Sequence, residues 1–196
     1  MSDLAALQTR LGYTFRNESL LQLALTHPSV AHELGTPVQH NQRLEFLGDA
    51  VLQLALTREL YERFPAFDEG PLTKARAKLV NRRSLGTHGR ALGLGAHLVL
   101  SRGEESHGGR ERSSALADAC ESVIGANNLD GGCDATRSFI LREFGATLEG
   151  RKTPGCAEDL WSFLRAELER AGCAAMAEVL AAEARTALEE GLHRLA

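Results

Sequence analysis

Asn41 to Phe64 reads NQRLEFLGDAVLQLALTRELYERF, and this stretch decides the fold. Its apolar residues recur at helical intervals on nearly every side, and no proline interrupts them until Pro65. That pattern predicts a central helix buried in the middle of a bundle. Four acids sit inside it, Glu45, Asp49, Glu59 and Glu62, and the first two lie among apolar neighbours near its start. Glu45 and Asp49 are spaced i and i+4, which stacks two like charges on one helical face at a cost in stability unless something compensates. A second pair, Asp118 and Glu121, stands at i and i+3 in SSALADACESVIGA, residues 113–126, again among small and apolar neighbours.

Outward from the central segment, helical spacing continues, and aromatic residues make up only 5% of the chain. The fold class expected is therefore all-α, a helical bundle. Asn17 caps a helix that runs through Leu25 and ends before Pro28, and a polar loop with Gly35 and Pro37 follows. Pro71 suits the first turn of the next helix, EGPLTKARAKLV. Gly86 and Gly89 then interrupt the pattern. SRGEESHGGR, residues 101–110, reads as a mobile surface loop because it combines glycine and charge without periodicity. A helix from Ser113 or Ser114 ends near Asp130, stopped by Gly131 and Gly132, and a further helix covers Ala135 to Leu148. After Gly150 the composition turns rich in Ala, Leu and Glu. Residues 151–196 read as a short helical extension behind a linker containing Pro154.

The 196 residues carry 22 Lys+Arg against 26 Asp+Glu, a formal charge of -4, with 43% hydrophobic residues. This balance fits an ordinary globule and excludes disordered, collagenous and disulfide-scaffold chains. No apolar run approaches the roughly 18 residues of a membrane span, and MSDLAALQTR lacks a leader pattern, so a cytoplasmic location without a membrane partner is expected. Cys120, Cys133, Cys156 and Cys173 form no C-x-x-C pair and read as reduced, buried thiols. Against the overall acidity, Lys74, Arg76, Lys78, Arg82, Arg83 and Arg90 form a basic strip with no acid between 74 and 90.

If the two acid-bearing helices pack together, four carboxylates converge in one cleft, and burial and repulsion raise their proton affinities. A divalent cation resolves that conflict, and oxygen donors favour a hard ion, Mg²⁺ with Mn²⁺ as substitute. Spacing alone leaves the bland reading open, since acidic pairs on helices usually form solvated faces. His27 reads as a structural histidine, and with no convincing serine or cysteine nucleophile, water is the best candidate.

NQRLEFLGD, Asn41 to Asp49, resembles the signature of the ribonuclease III family, and LADACESVIGANNLDGG, Leu116 to Gly132, resembles its second acidic block. ALTHPSVAHE, Ala24 to Glu33, and EGPLTKARAKLV, Glu69 to Val80, stand in the family's order. The resemblance covers about residues 4–148 and implies that residues 1–150 form a ribonuclease III catalytic domain that homodimerises. It implies that Glu45, Asp49, Asp118 and Glu121 are the catalytic, metal-binding acids. The implied reaction is Mg²⁺-dependent hydrolysis of double-stranded RNA to 5′-phosphate and 3′-hydroxyl ends, in rRNA and mRNA processing. Phe46 matches an aromatic residue that enters a pocket on the partner subunit. Gln42, Glu69, Lys74 and Lys78 fall in blocks that contact RNA, and the basic strip suits a duplex read through its phosphates and 2′-hydroxyls.

The sequence departs from the family in three places. Gln42 replaces a glutamate near the cut, and its amide can still bond a 2′-hydroxyl. Asn127 and Asn128 stand where larger apolar or aromatic residues are usual, which burdens the fold. Residues 151–196 are too short and strand-poor for a complete double-stranded-RNA-binding domain, and their six basic residues are outnumbered by eight acids. The alternatives are a non-catalytic RNA-binding or ribosome-associated relative, or a plain helical dimerisation module. Retention of all four acids favours the enzyme.

Overall fold

The computed structural model describes residues 4–34 and 38–148. Gly35, Pro37, Cys156, Cys173 and the extension over 151–196 lie outside the described residues. The described chain is all-α: α1 (Leu4–Leu11), α2 (Glu18–Ala24), α3 (Ser29–Leu34), α4 (Gln42–Arg63), α5 (Glu69–Val80), α6 (Arg82–Ala91), α7 (Arg102–Ser106) and α8 (Ser113–Leu148). The strand-like pairing among the described residues is one isolated parallel bridge between Thr26 and Val99.

Caps set several of these boundaries. Asn17 Oδ1 accepts from the Ser19 amide at 3.1 Å and opens α2, and Asn81 Oδ1 accepts from the Ser84 amide at 2.9 Å and opens α6. Each such cap satisfies an orphan helix donor and is worth about 1 kcal/mol. Asn41 precedes α4 differently. Its side chain makes no cap bond and instead donates to the Ala24 carbonyl at 3.3 Å, tying the start of α4 to the end of α2.

α4 and α8 form the axis of the bundle. Leu44, Leu52, Leu56 and Leu60 of α4 are buried with Ala115, Leu116, Ala119, Val123 and Ile124 of α8. Each fully buried leucine contributes roughly 1.5–3 kcal/mol. Charge also joins the two helices. Glu59 is only 6% exposed and accepts from Arg63 Nε at 2.6 Å and from an Arg137 guanidinium nitrogen at 2.9 Å. Within α8, Gly132 takes φ +79°, so two helical runs meet at a kink, where the sequence places a stop.

The structure corrects four expectations. Gly86 and Gly89 do not interrupt a helix; α6 runs through both, and they let its backbone touch α8. A Cβ on Gly86 would lie 2.3 Å from Ser113 Oγ, and one on Gly89 would lie 2.5 Å from the Leu116 carbonyl oxygen. Residues 101–110 are not a plain loop. The Ser101 hydroxyl caps α7 by accepting from the Glu104 amide at 3.1 Å, and a 3₁₀ turn covers Gly109–Glu111. Short capped turns carry no hydrophobic periodicity, so composition alone misreads them. Cys133 is exposed, although Cys120 is a buried free thiol whose pKa burial pushes up to about 12. Finally, α4 is not buried on every side. Phe46, Leu54 and Tyr61 are 82%, 72% and 72% exposed.

Candidate metal centre

Gly48 and Gly125 lie where α4 meets α8. A Cβ on Gly125 would stand 2.2 Å from the Leu44 carbonyl oxygen, so the helices meet backbone to backbone. Glu45 and Asp49 flank Gly48 on α4, while Asp118 and Glu121 precede Gly125 on α8. Contact at that point therefore carries acids separated by some seventy positions into one place. Carboxylate oxygens of Glu45, Asp118 and Glu121 all lie within 4.8 Å of one another, each residue half-buried. Ser122, fully buried, holds the α8 backbone there, its hydroxyl shared between the carbonyls of Asp118 at 2.7 Å and Asn41 at 3.3 Å.

Asp49 stands beside this group without joining it. Its two carboxylate oxygens both accept from Gln53 Nε2 at 2.9 Å, one turn further along α4. Its charge nevertheless reaches the cluster. Burial, followed by the charges of Asp49, Glu45 and Asp118, pushes the Glu121 carboxyl up to about 8. Burial and the charge of Asp118 also raise Glu45, and burial raises Asp118. Arg82 opposes all three shifts.

Anionic oxygens crowded to this degree repel one another, and a hard divalent cation is the species that relieves them. The donor set fits such an ion: oxygen only, partly exposed, and open on the solvent side for waters or a phosphate.

The remaining sequence candidates are more dispersed. Gln42 is exposed on the first turn of α4, and Phe46 projects outward one turn later. Glu69 opens α5, accepts from Thr73 Oγ1 at 2.9 Å and lies on the wall of a cavity of about 670 Å³ with Tyr61, Phe64, Phe67, Leu72 and Arg76. Lys74 is exposed and Lys78 half-buried on the same helix. Of the basic strip, Arg82 is the residue whose charge acts on all three clustered acids. His27 is half-buried, with Nδ1 accepting from the Ser29 amide at 3.1 Å, as a structural histidine would be.

A family model described as Ribonuclease-III-like matches residues 17–148. The chain belongs to the ribonuclease III family. Among relatives in that family, the ribonuclease 3 of Oleidesulfovibrio alaskensis is 51% identical over 138 residues, covering 70% of this chain and 60% of that protein. The ribonuclease 3 of Symbiobacterium thermophilum is 47% identical over 165 residues, covering 84% of this chain and 69% of its own length. The match thus spans about three-fifths to two-thirds of these relatives. The solved nuclease domain of ribonuclease III from Campylobacter jejuni, described as having a region involved in dimer formation, superposes with a TM-score of 0.68 at 40% identity. It covers 72% of this chain and 95% of that domain. The ribonuclease III match contains both acid-bearing helices.

Proposed function

We propose that this chain is a Mg²⁺-dependent endonuclease of double-stranded RNA, with Mn²⁺ able to substitute. The observation that carries the reading is the convergence of Glu45, Asp118 and Glu121, from two helices, within 4.8 Å. Its setting, a chain of the ribonuclease III family, supports the substrate class. A divalent cation bound there supplies Lewis-acid charge toward the phosphodiester and lowers the pKa of an attacking water.

Glu45, Asp118 and Glu121 are the first ligands. Asp49, held by Gln53, adds a fourth negative charge beside them. Hydrolysis adds water across the P–O3′ bond, leaving a 5′-phosphate on one product and a 3′-hydroxyl on the other. Gln42 and Glu69 contact RNA near the cut, and Lys74 and Lys78 neutralise backbone phosphates. Residues 1–150 are the catalytic domain, and residues 151–196 add no grip on RNA. Duplex segments of ribosomal precursors and messengers in the cytoplasm are the substrates.

A homodimer completes the reading. Phe46 and Tyr61 are about 22 Å apart along α4 at 1.5 Å per residue, with Leu54 midway. All three are strongly exposed. A two-fold axis near Leu54 pairs α4 with its copy antiparallel and brings each Phe46 opposite the partner's cavity beside Tyr61. Exposed apolar residues in one row mark an association surface.

Incubation with a long RNA duplex and Mg²⁺ tests the activity. The expected products are short duplexes with 5′-phosphate and 3′-hydroxyl ends. Cutting is expected to stop in EDTA and in Asp118→Asn while duplex binding persists; undiminished cutting in EDTA would overturn the proposal.

A further inference from the structure

We propose that Gln53 is a positioning residue of the metal centre: its side-chain amide latches the Asp49 carboxylate outside the ligand set, and Asp49 joins a divalent cation only by giving up that bond. The inference rests on the metal reading above and extends it to a residue that carries no charge.

Two distances define the latch. Gln53 Nε2 lies 2.9 Å from Asp49 Oδ1 and 2.9 Å from Asp49 Oδ2, so the nitrogen sits midway between the two oxygens. That is the edge through which a carboxylate chelates a cation bidentately, and an ion and the amide therefore compete for the same lone pairs. The backbone of Asp49 is well placed for an ion. It follows Gly48, whose missing side chain admits the Glu121 carbonyl. At i+4 from Glu45, its Cβ stands about 5–6 Å from that of Glu45 on one face of α4. Yet among the described residues the oxygens that gather within 4.8 Å come from Glu45, Asp118 and Glu121. Asp49 differs from those three in that its carboxylate is turned along the helix to Gln53.

The donor suits a latch that opens. A lysine or arginine at position 53 would cancel the charge of Asp49, whereas an amide donates without a charge of its own. Asp49 stays an anion that a cation can claim. Residues behind a ligating carboxylate usually support it in the bound geometry. Here the amide takes both oxygens at once, so it withholds the carboxylate instead. Gln53 and Asp49 are both half-buried, and a partly exposed hydrogen bond to a carboxylate shifts an equilibrium by about fivefold.

The experiment titrates the full chain with Mn²⁺ by calorimetry, without RNA. Gln53→Met keeps the length and helix preference of the side chain and removes the donor. It is expected to bind Mn²⁺ about fivefold more tightly, and Gln53→Leu should show the same gain. Added to Asp49→Asn, the Gln53→Met substitution is expected to change nothing, because the carboxylate it acts through is gone. A purely structural role for Gln53 would shift the affinity equally in both backgrounds. Unchanged or weaker Mn²⁺ binding in Gln53→Met would overturn the inference, as would an equal gain on top of Asp49→Asn. Absence of any Mn²⁺ uptake that Glu121→Gln abolishes would instead remove the metal reading itself.

Discussion

Gly48 lies so close beneath Glu121 that a Cβ on Gly48 would sit 1.8 Å from the Glu121 carbonyl oxygen. The neighbour is backbone, which cannot swing aside as a side chain can. Gly48→Ala must push α4 away from α8, and the acids separate with it. The expected cost is at or above the upper end of overpacking penalties, about 3 kcal/mol. Urea denaturation reads the lost stability, and a parallel loss of Mn²⁺ binding reads the opened site. Wild-type values for both would show that the two helices tolerate separation.

Ion binding should depend steeply on pH. Burial and the three neighbouring acids hold the metal-free Glu121 carboxyl up at about 8, so at neutral pH it is mostly protonated. A ligating carboxylate must lose that proton. Mn²⁺ affinity is therefore expected to rise about tenfold per pH unit up to about 8 and then level off. The same shift makes the metal-free protein less stable as pH rises from the ordinary glutamate value of 4.5 towards 8, because the folded state binds the extra proton. Calorimetric titrations across that range check the first trend and thermal melts in chelator the second. Glu121→Gln should flatten both.

His88 works in the opposite sense. Its ring lies 4.1 Å from that of Phe144, and burial depresses its pKa from 6.5 to about 4. Above 6.5 neither state holds the proton. As pH falls below 6.5 the unfolded chain takes it up first, so stability declines until about 4. The shift corresponds to about 3 kcal/mol in total. His88→Gln should remove this slope in urea midpoints measured from pH 7 to 4. An identical slope in the variant would assign the acid sensitivity to other groups.

The exposed row on α4 gives a test of association. Phe46→Glu places a charge where the proposed partner cavity is apolar, and it leaves the buried face of α4 untouched. The variant should run as a monomer in analytical ultracentrifugation and keep a wild-type melting profile at low concentration. A dimer that survives the substitution would move the interface elsewhere.

Much of this arrangement could be read from residue order. The unbroken apolar run after Asn41, the Pro71 start and the Gly132 stop each act through local backbone preference, and all three reappear in the structure. The acid pairs were legible as pairs because i, i+4 and i, i+3 spacings are local quantities. Their meeting was less so. It depends on Gly48 and Gly125, whose importance lies in what their missing side chains allow across seventy positions. Gly86 and Gly89 misled for the same reason: a glycine read alone signals a break, while one facing another helix signals contact. In the sequence Arg82 looks like any other member of the basic strip; what sets it apart is a charge that opposes the raised proton affinity of all three clustered acids. The strain foreseen at Asn127 is present in a specific form, since the residue is 1% exposed and its Oδ1 has no hydrogen-bond partner.

One measurement addresses the acid cluster directly. Crystals of the chain soaked in Mn²⁺ should show an anomalous peak bonded to oxygens of Glu45, Asp118 and Glu121 at about 2 Å. Mn²⁺ scattering located only at other surface carboxylates, with these three side chains turned apart, would contradict the account.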